Sequence, residues 1–246
     1  MRKIKKFLEQ QSFASIYMIR AIKSRIKGFR FETVYNDRGD IRGMAAVWED
    51  DKIVTLRGEI DACMGWFYQY YGIYDFFELD MDLMNALLNE NMCICNENSI
   101  SFYYIMEHVR EKGAQEIERI RYGKADKEMW RSLKELYRKQ YNIHFSEFQP
   151  DNMEWFVVYE KGFPISNLCL ERGDDDVFIL SNFYTAPDWR SKGIGTRFLQ
   201  TILKDYGDHK FCLFVSCDNV GVVRLYKRLG FQIRDKVGNI ERNQKR

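Results

Sequence analysis

One stretch limits what this chain can fold into more than any other: Ala186-Pro187-Asp188-Trp189-Arg190-Ser191-Lys192-Gly193-Ile194-Gly195-Thr196. It lies between the apolar run Val177-Phe178-Ile179-Leu180 and the helical pattern Phe198, Leu199, Ile202, Leu203. The reading is strand, tight basic turn, helix. Such a turn leaves backbone N–H groups without helical partners and aims the positive end of a helix dipole at them, as phosphate or pyrophosphate binding requires. Glycines at 193 and 195 let a ligand approach the backbone, and Arg190 and Lys192 add charge. The stretch is neither a Walker A loop nor a dinucleotide fingerprint, which need a Gly-Lys-Ser/Thr ending or a third glycine. Without its context, an ordinary turn with incidental basic residues explains it equally well.

The 246 residues allow one large domain or two of ordinary size. With 46% hydrophobic and 30% charged residues, a disordered chain is excluded. A net charge of +2 gives no reason to expect nucleic acid or an anionic membrane as partner. No stretch approaches the roughly 18 apolar residues of a spanning helix. The positive start Met1–Lys6 is not followed by the apolar core of a signal peptide, because Glu9, Gln10, Gln11 and Ser12 intervene. The six cysteines are scattered, and Cys93-Ile94-Cys95 has no usual zinc or redox spacing. Buried free thiols in a reducing compartment follow, so the expected location is the cytoplasm.

Along the first half, Ile16, Ile19, Ile22 and Ile26 repeat on one helical face up to Gly28. Strands are expected near 29–35, 43–48 and 52–57, joined by hairpin turns. A helix over 60–71, a strand at 74–79, a helix at 81–89 and strands at 92–96 and 99–105 follow. A polar joint at 107–114 leads to a strand at 116–122 and an amphipathic helix at 126–141, with Met129, Trp130, Leu133, Leu136, Tyr137 and Tyr141 on one side. Strands at 153–159, 165–171 and 177–185 precede a helix at 195–206. Phe211–Val215 reads as a buried central strand, and a helix with Val222, Val223, Leu225, Tyr226 and Leu229 stops at Gly230. Phe231–Ile233 and a polar basic tail close the chain. Both halves run helix, three strands, helix, strand, helix, strand. Two domains of similar order are expected, 1–112 and 113–246, the first without a basic glycine turn, since only Gly58-Glu59 separates its third strand from the next helix.

Arg190-x-x-Gly193-x-Gly195 after Thr185-Ala186-Pro187, then Asn219-x6-Tyr226 and Gly230-Phe231 after a second strand, resembles the GNAT superfamily of acetyltransferases. The resemblance covers about 115–235. It implies an α/β (α+β) fold with a mixed, mostly antiparallel sheet flanked by helices, here in two tandem domains, the first a degenerate copy. It implies acetyl-CoA as donor, the pyrophosphate held by backbone N–H groups of Arg190, Ser191, Lys192, Gly193, Ile194, Gly195 and Thr196. Phe183 and Thr185 would hydrogen-bond the pantetheine arm through their backbones, Asn219 would contact the same arm, and Tyr226 would protonate the departing thiolate. Residues seven apart share a helical face, so Asn219 and Tyr226 can face one groove. Without the resemblance, Asn219 reads as a helix cap and Tyr226 as packing against Leu225 and Leu229.

Many family members carry a Glu or other polar residue on the fourth strand that receives the amine proton, where this chain has Leu180-Ser181-Asn182 and no carboxylate. Glu171 and Asp174–Asp176 lie nearby in sequence, and the general base is left unassigned, with water or a first-domain side chain as alternatives. Val222 replaces a customary small residue. His108, His144 and His209 read as isolated packing or surface residues, and no metal constellation is present. The cluster Trp66, Phe67, Tyr68, Tyr70, Tyr71, Tyr74, Phe76 and Phe77 reads as core, with a substrate pocket as the other reading. The expected function is N-acetylation of a small-molecule or peptide amine by direct attack in a ternary complex; the alternative is a non-catalytic acyl-CoA sensor.

Overall fold

The computed structural model describes residues 2–10, 15–24, 27–89, 98–109, 118–141, 153–174 and 176–242. Ile26, Cys93, Cys95, the strand expected at 92–96, most of the 107–114 joint and His144 lie outside the described residues. The chain divides into two compact units that are not single stretches. One comprises Met1–Met106 with Val215–Val220 and Ile233–Arg246; the other comprises Glu107–Phe214 with Gly221–Gln232.

In the first unit, α1 (Arg2–Gln10) and α2 (Ile16–Ser24) precede β1 (Phe29–Tyr35), β2 (Ile41–Trp48) and β3 (Ile53–Gly58). Then come α3 (Ile60–Tyr70), β4 (Phe76–Asp80), α4 (Met81–Asn89) and β5 (Asn98–His108). β1, β2 and β3 pair antiparallel, whereas β3 and β4 are parallel, joined across by α3. Such a crossover is what parallel neighbours need. One sheet face buries Ala45, Val47, Val54 and Leu56 against Cys63, Trp66 and Phe67 of α3 and Leu83, Met84 and Leu87 of α4. The other face packs Met44 and Ala46 against Ile4, Phe7, Leu8 and Met18. The aromatic cluster is largely this core: Phe67 and Phe77 are fully buried with ring centroids 5.1 Å apart. Burying one such side chain contributes about 1.5–3 kcal/mol.

In the second unit, β6 (Gly123–Ala125) leads into α5 (Lys127–Tyr141), β7 (Met153–Glu160), β8 (Phe163–Asp174) and β9 (Val177–Thr185). A 3-10 turn at Pro187–Trp189 is followed by α6 (Ile194–Asp205), β10 (Lys210–Ser216), α7 (Val220–Arg228) and the start of β11 (Phe231–Arg242), whose residues from Ile233 onward belong to the first unit. β6 to β9 form an antiparallel meander, and β10 runs parallel beside β9. The fold is thus mixed α/β, with mostly antiparallel pairing and flanking helices.

α5 starts where Asp126 accepts the Met129 N–H at 2.8 Å, an N-terminal cap. It lays Trp130, Leu133 and Tyr137 on Trp155, Val157 and Cys169, with Trp130 stacked 3.5 Å from Trp155. α6 takes the opposite sheet face: Tyr122 meets Phe156 of that face and Phe198 of α6.

Two sequence expectations are corrected. Residues 118–122 form no strand, because the Ile120 N–H is taken by the Thr201 hydroxyl instead of a neighbouring strand. The C-terminal tail is ordered as β11, whose Val237–Glu241 pair antiparallel with β4. Its polar sequence conceals a buried run at Val237, Asn239 and Ile240. α1 was also not read from the sequence; its buried Ile4, Phe7 and Leu8 are spaced for one helical face.

Candidate active site

The β9–β10 pairing covers Val177↔Lys210 through Leu180↔Leu213 and stops there, although β9 continues to Thr185. The cause lies in β9 itself. Opposite β8, Asn167 faces Tyr184 and Cys169 faces Ser181, so β9 carries one residue too many. Asn182 absorbs the excess at φ +48°, a left-handed conformation that Asn tolerates. The bulge turns the strand, and from Ser181 onward β9 keeps an edge unpaired by β10.

Asn167 of β8 is fully buried, and its Nδ2 donates to the Asn182 carbonyl at 2.7 Å. Its Oδ1 is buried and has no hydrogen-bond partner among the described residues. An acceptor left so costs about 1–3 kcal/mol. Strand alternation places Asn167, Cys169 and Glu171 on the α5 face of β8, with Tyr184 beside Asn167. Glu171 is 3% exposed and lies across from Ile179; among the described residues it is the only buried carboxylate. Ser166 points to the other face, where its hydroxyl donates to the Tyr184 carbonyl and meets the Thr185 hydroxyl at 3.0 Å.

After β9 the chain turns tightly, with Ser191 at φ +59° and Gly193 at φ +73°. Gly193 is the residue before α6, and the first helical bond runs from Arg197 N–H to Gly193 O. The amides of Ile194, Gly195 and Thr196 precede that bond and have no acceptor within the helix. The two glycines differ in purpose. A side chain on Gly193 would meet nothing within 4 Å, so its role is the left-handed turn beside open space. A Cβ on Gly195 would stand 3.0 Å from Thr185 Oγ1 and 3.3 Å from the Phe183 ring, so that glycine lets α6 sit close on β9.

The basic residues are partly engaged. Arg190 Nε donates to the Thr185 carbonyl at 2.9 Å, and its guanidinium lies over the Tyr184 ring. Lys192 Nζ lies 4.8 Å from the Trp189 ring centroid. Thr185 thus offers a ligand its amide more readily than its carbonyl.

Tyr226 is 6% exposed on α7, with its ring 6.4 Å from Phe183 and 5.5 Å from Phe231. Burial pushes its phenol well above the usual range, so it keeps its proton at neutral pH. Asn219 is exposed just before α7, its N–H bonded to Ser216 O, in the segment that packs with the first unit. The structure therefore gathers Phe183, Thr185, Gly195, Arg190 and Tyr226 around the end of β9. Sequence reading missed Asn167, whose alternation within β8 resembles that of any buried strand residue.

The described cysteines 63, 169, 212 and 217 are free. Burial pushes the thiols of Cys63, Cys169 and Cys212 up to about 12, which removes them as thiolate nucleophiles near neutrality. Among the described residues no helix is long and apolar enough to cross a membrane.

Residues 120–231 match the model of the Acetyltransferase (GNAT) family. A search of curated proteins returned no match. Among solved structures, a GCN5-related N-acetyltransferase from Kribbella flavida is 14% identical with a TM-score of 0.60, over 94% of this chain and 96% of that one. A GCN5-related N-acetyltransferase-like protein from Streptococcus suis is 13% identical with a TM-score of 0.61, over 98% of each. An acetyltransferase of the GNAT family from Colwellia psychrerythraea is 12% identical with a TM-score of 0.56, over 94% and 90%. At these identities the likeness is one of fold. The family match covers residues 120–231, and the parted strands and the left-handed turn give that segment features in keeping with a GNAT-family acetyltransferase domain.

Proposed function

We propose that the chain moves an acetyl group from acetyl-CoA to an amine by direct attack in a ternary complex. The observation that carries this reading is the parting of β9 from β10 after Leu180 and Leu213, next to a left-handed turn where a Cβ on Gly193 would meet nothing within 4 Å. The amides leading into α6 suit a pyrophosphate, and the free edge from Phe183 to Thr185 suits the amides of a pantetheine arm, which would lie there as an added strand. A backbone N–H at Phe183 held rigid by the bulge is suited to a thioester carbonyl, and its bond would strengthen as the oxygen gains charge. Tyr226, protonated and buried beside Phe183, is suited to give its proton to the leaving thiolate. β9 carries no carboxylate near the bulge; Glu171, one strand over, is the described carboxylate suited to take the amine proton through water.

The donor is acetyl-CoA and the acceptor a small-molecule or peptide amine. The raised thiols of Cys63, Cys169 and Cys212 are in keeping with direct attack in preference to an acyl-cysteine route at those residues. Free cysteines are in keeping with a cytoplasmic location.

We further propose that the first unit is a degenerate copy of the same design. In each unit an antiparallel trio is followed by a helix and a parallel strand paired over four residues. In the first unit, however, the Gly58 N–H goes to Asp80 and the Glu59 N–H to the Arg42 carbonyl. Glu59 and Asp61 pair with Arg42 at that junction, so the charge there is unsuited to a phosphate.

Incubation with acetyl-CoA and a broad amine panel, with detection of free thiol, tests the reading. Turnover that falls sharply in Tyr226→Phe is expected. Tight CoA binding without turnover on any amine would favour a sensor, and absence of CoA binding would sink both.

A further inference from the structure

We infer that Asn167 is a positioning residue for the acceptor: its carboxamide nitrogen holds the β9 bulge, and its oxygen takes an N–H of the incoming amine. The inference rests on the acetyltransfer reading above.

The orientation of the amide follows from its one bond. The Asn182 carbonyl can only accept, so Nδ2 must face it and Oδ1 must face away. That oxygen is buried and unpartnered among the described residues, on a side chain with no exposed surface. Buried acceptors are paired in nearly all native structures, and each exception calls for an explanation. An N–H arriving there is favoured over one left in water, because it satisfies an atom that water does not reach.

The location gives that donor an identity. Asn167 stands on the α5 face, whereas Gly195 and the Phe183 ring lie on the α6 face. A donor laid as an added strand on the free edge of β9, with its pyrophosphate at the α6 amides, leaves the acyl carbon open to approach from the α5 side, where Asn167 holds the bulge. A primary amine attacks with its lone pair while carrying two N–H bonds. One N–H is held by Asn167 Oδ1, which fixes the direction of the lone pair, and the other proton is given up as the N–C bond forms and the C–S bond breaks. That proton passes to water, and the thiolate receives one from the Tyr226 phenol. Holding a nucleophile this way acts by orientation and needs no charge on the asparagine.

The test compares wild type with Asn167→Ala and Asn167→Ser, using one primary amine turned over by wild type and its N-methyl counterpart. Loss of the acceptor oxygen is expected to raise the amine KM about tenfold and to shrink the preference for the primary amine, with acetyl-CoA Kd little changed. Unchanged amine KM and preference in folded variants would mean that Oδ1 does not meet the amine, and would overturn the inference while leaving acetyltransfer intact. No turnover by wild type would remove the reading and the inference together. Should both variants fail to fold, the wild-type preference decides: equal use of the primary and N-methylated amines overturns the inference.

Discussion

Gly195 lies so close to Thr185 that a single added methyl group would come within 3.0 Å of the threonine hydroxyl, while Gly193, two residues earlier, faces open space. Two glycines of one motif therefore answer to different constraints. Gly195→Ala should push α6 off β9 and lower the melting temperature, at a cost of about 1–3 kcal/mol for overpacking. Gly193→Ala should cost about 1 kcal/mol through its left-handed backbone alone. Gly193→Leu should weaken CoA binding well beyond Gly193→Ala, because its side chain enters the space beside the free amides. Thermal melts and CoA titrations of the three variants check this.

Tyr226→Phe should leave CoA affinity and melting temperature nearly unchanged and lower kcat by about 10²–10⁴. Because burial raises the phenol's pKa, loss of its proton should not limit kcat until the pH exceeds the ordinary tyrosine value of about 10. An alkaline limb well below that, present in wild type and absent from the phenylalanine variant, would contradict the assignment.

Glu171→Gln should reduce kcat with little change in acetyl-CoA Kd, and Glu171→Asp should recover part of the loss. A rate profile of the glutamine variant that parallels wild type at every pH would show that this carboxylate is only structural.

The chain should bind one CoA. At the first unit's strand-to-helix junction, Gly58 and Glu59 have their N–H groups bonded, and Arg42 is held by two carboxylates. Calorimetric titration should return a stoichiometry near one, and Gly193→Leu should abolish the binding heat rather than halve it.

Glu32 carries the clearest pH signature of stability. The Tyr70 hydroxyl, with Arg30 and the Trp66 indole N–H, holds its carboxyl below the usual range. A depressed pKa in the folded state means stabilisation that is present above the unfolded value of about 4.3 and is lost as the pH falls through the folded value. The melting-temperature gap between wild type and Glu32→Gln should therefore be open at pH 7 and close in acid below about pH 4.

Much of this protein was determined by local sequence. Alternating β-rich runs and amphipathic patterns set most strands and helices, because side-chain periodicity depends only on which face must leave water. The turn ahead of α6 was legible for the same reason: glycine at 193 suits a left-handed residue, and the first amides of a helix lack acceptors within it wherever the helix lies.

Tertiary structure decided what depends on partners distant in the chain. Ile120 left the expected strand because Thr201 offered its N–H a bond, and the polar tail became β11 because β4 had an edge to fill. The same holds at the site. Nothing in the sequence around Gly195 says that its missing side chain answers to Thr185, and nothing around Asn167 says that its amide holds Asn182. Periodicity tells a residue which face it occupies; only the register between β8 and β9 tells it what stands opposite.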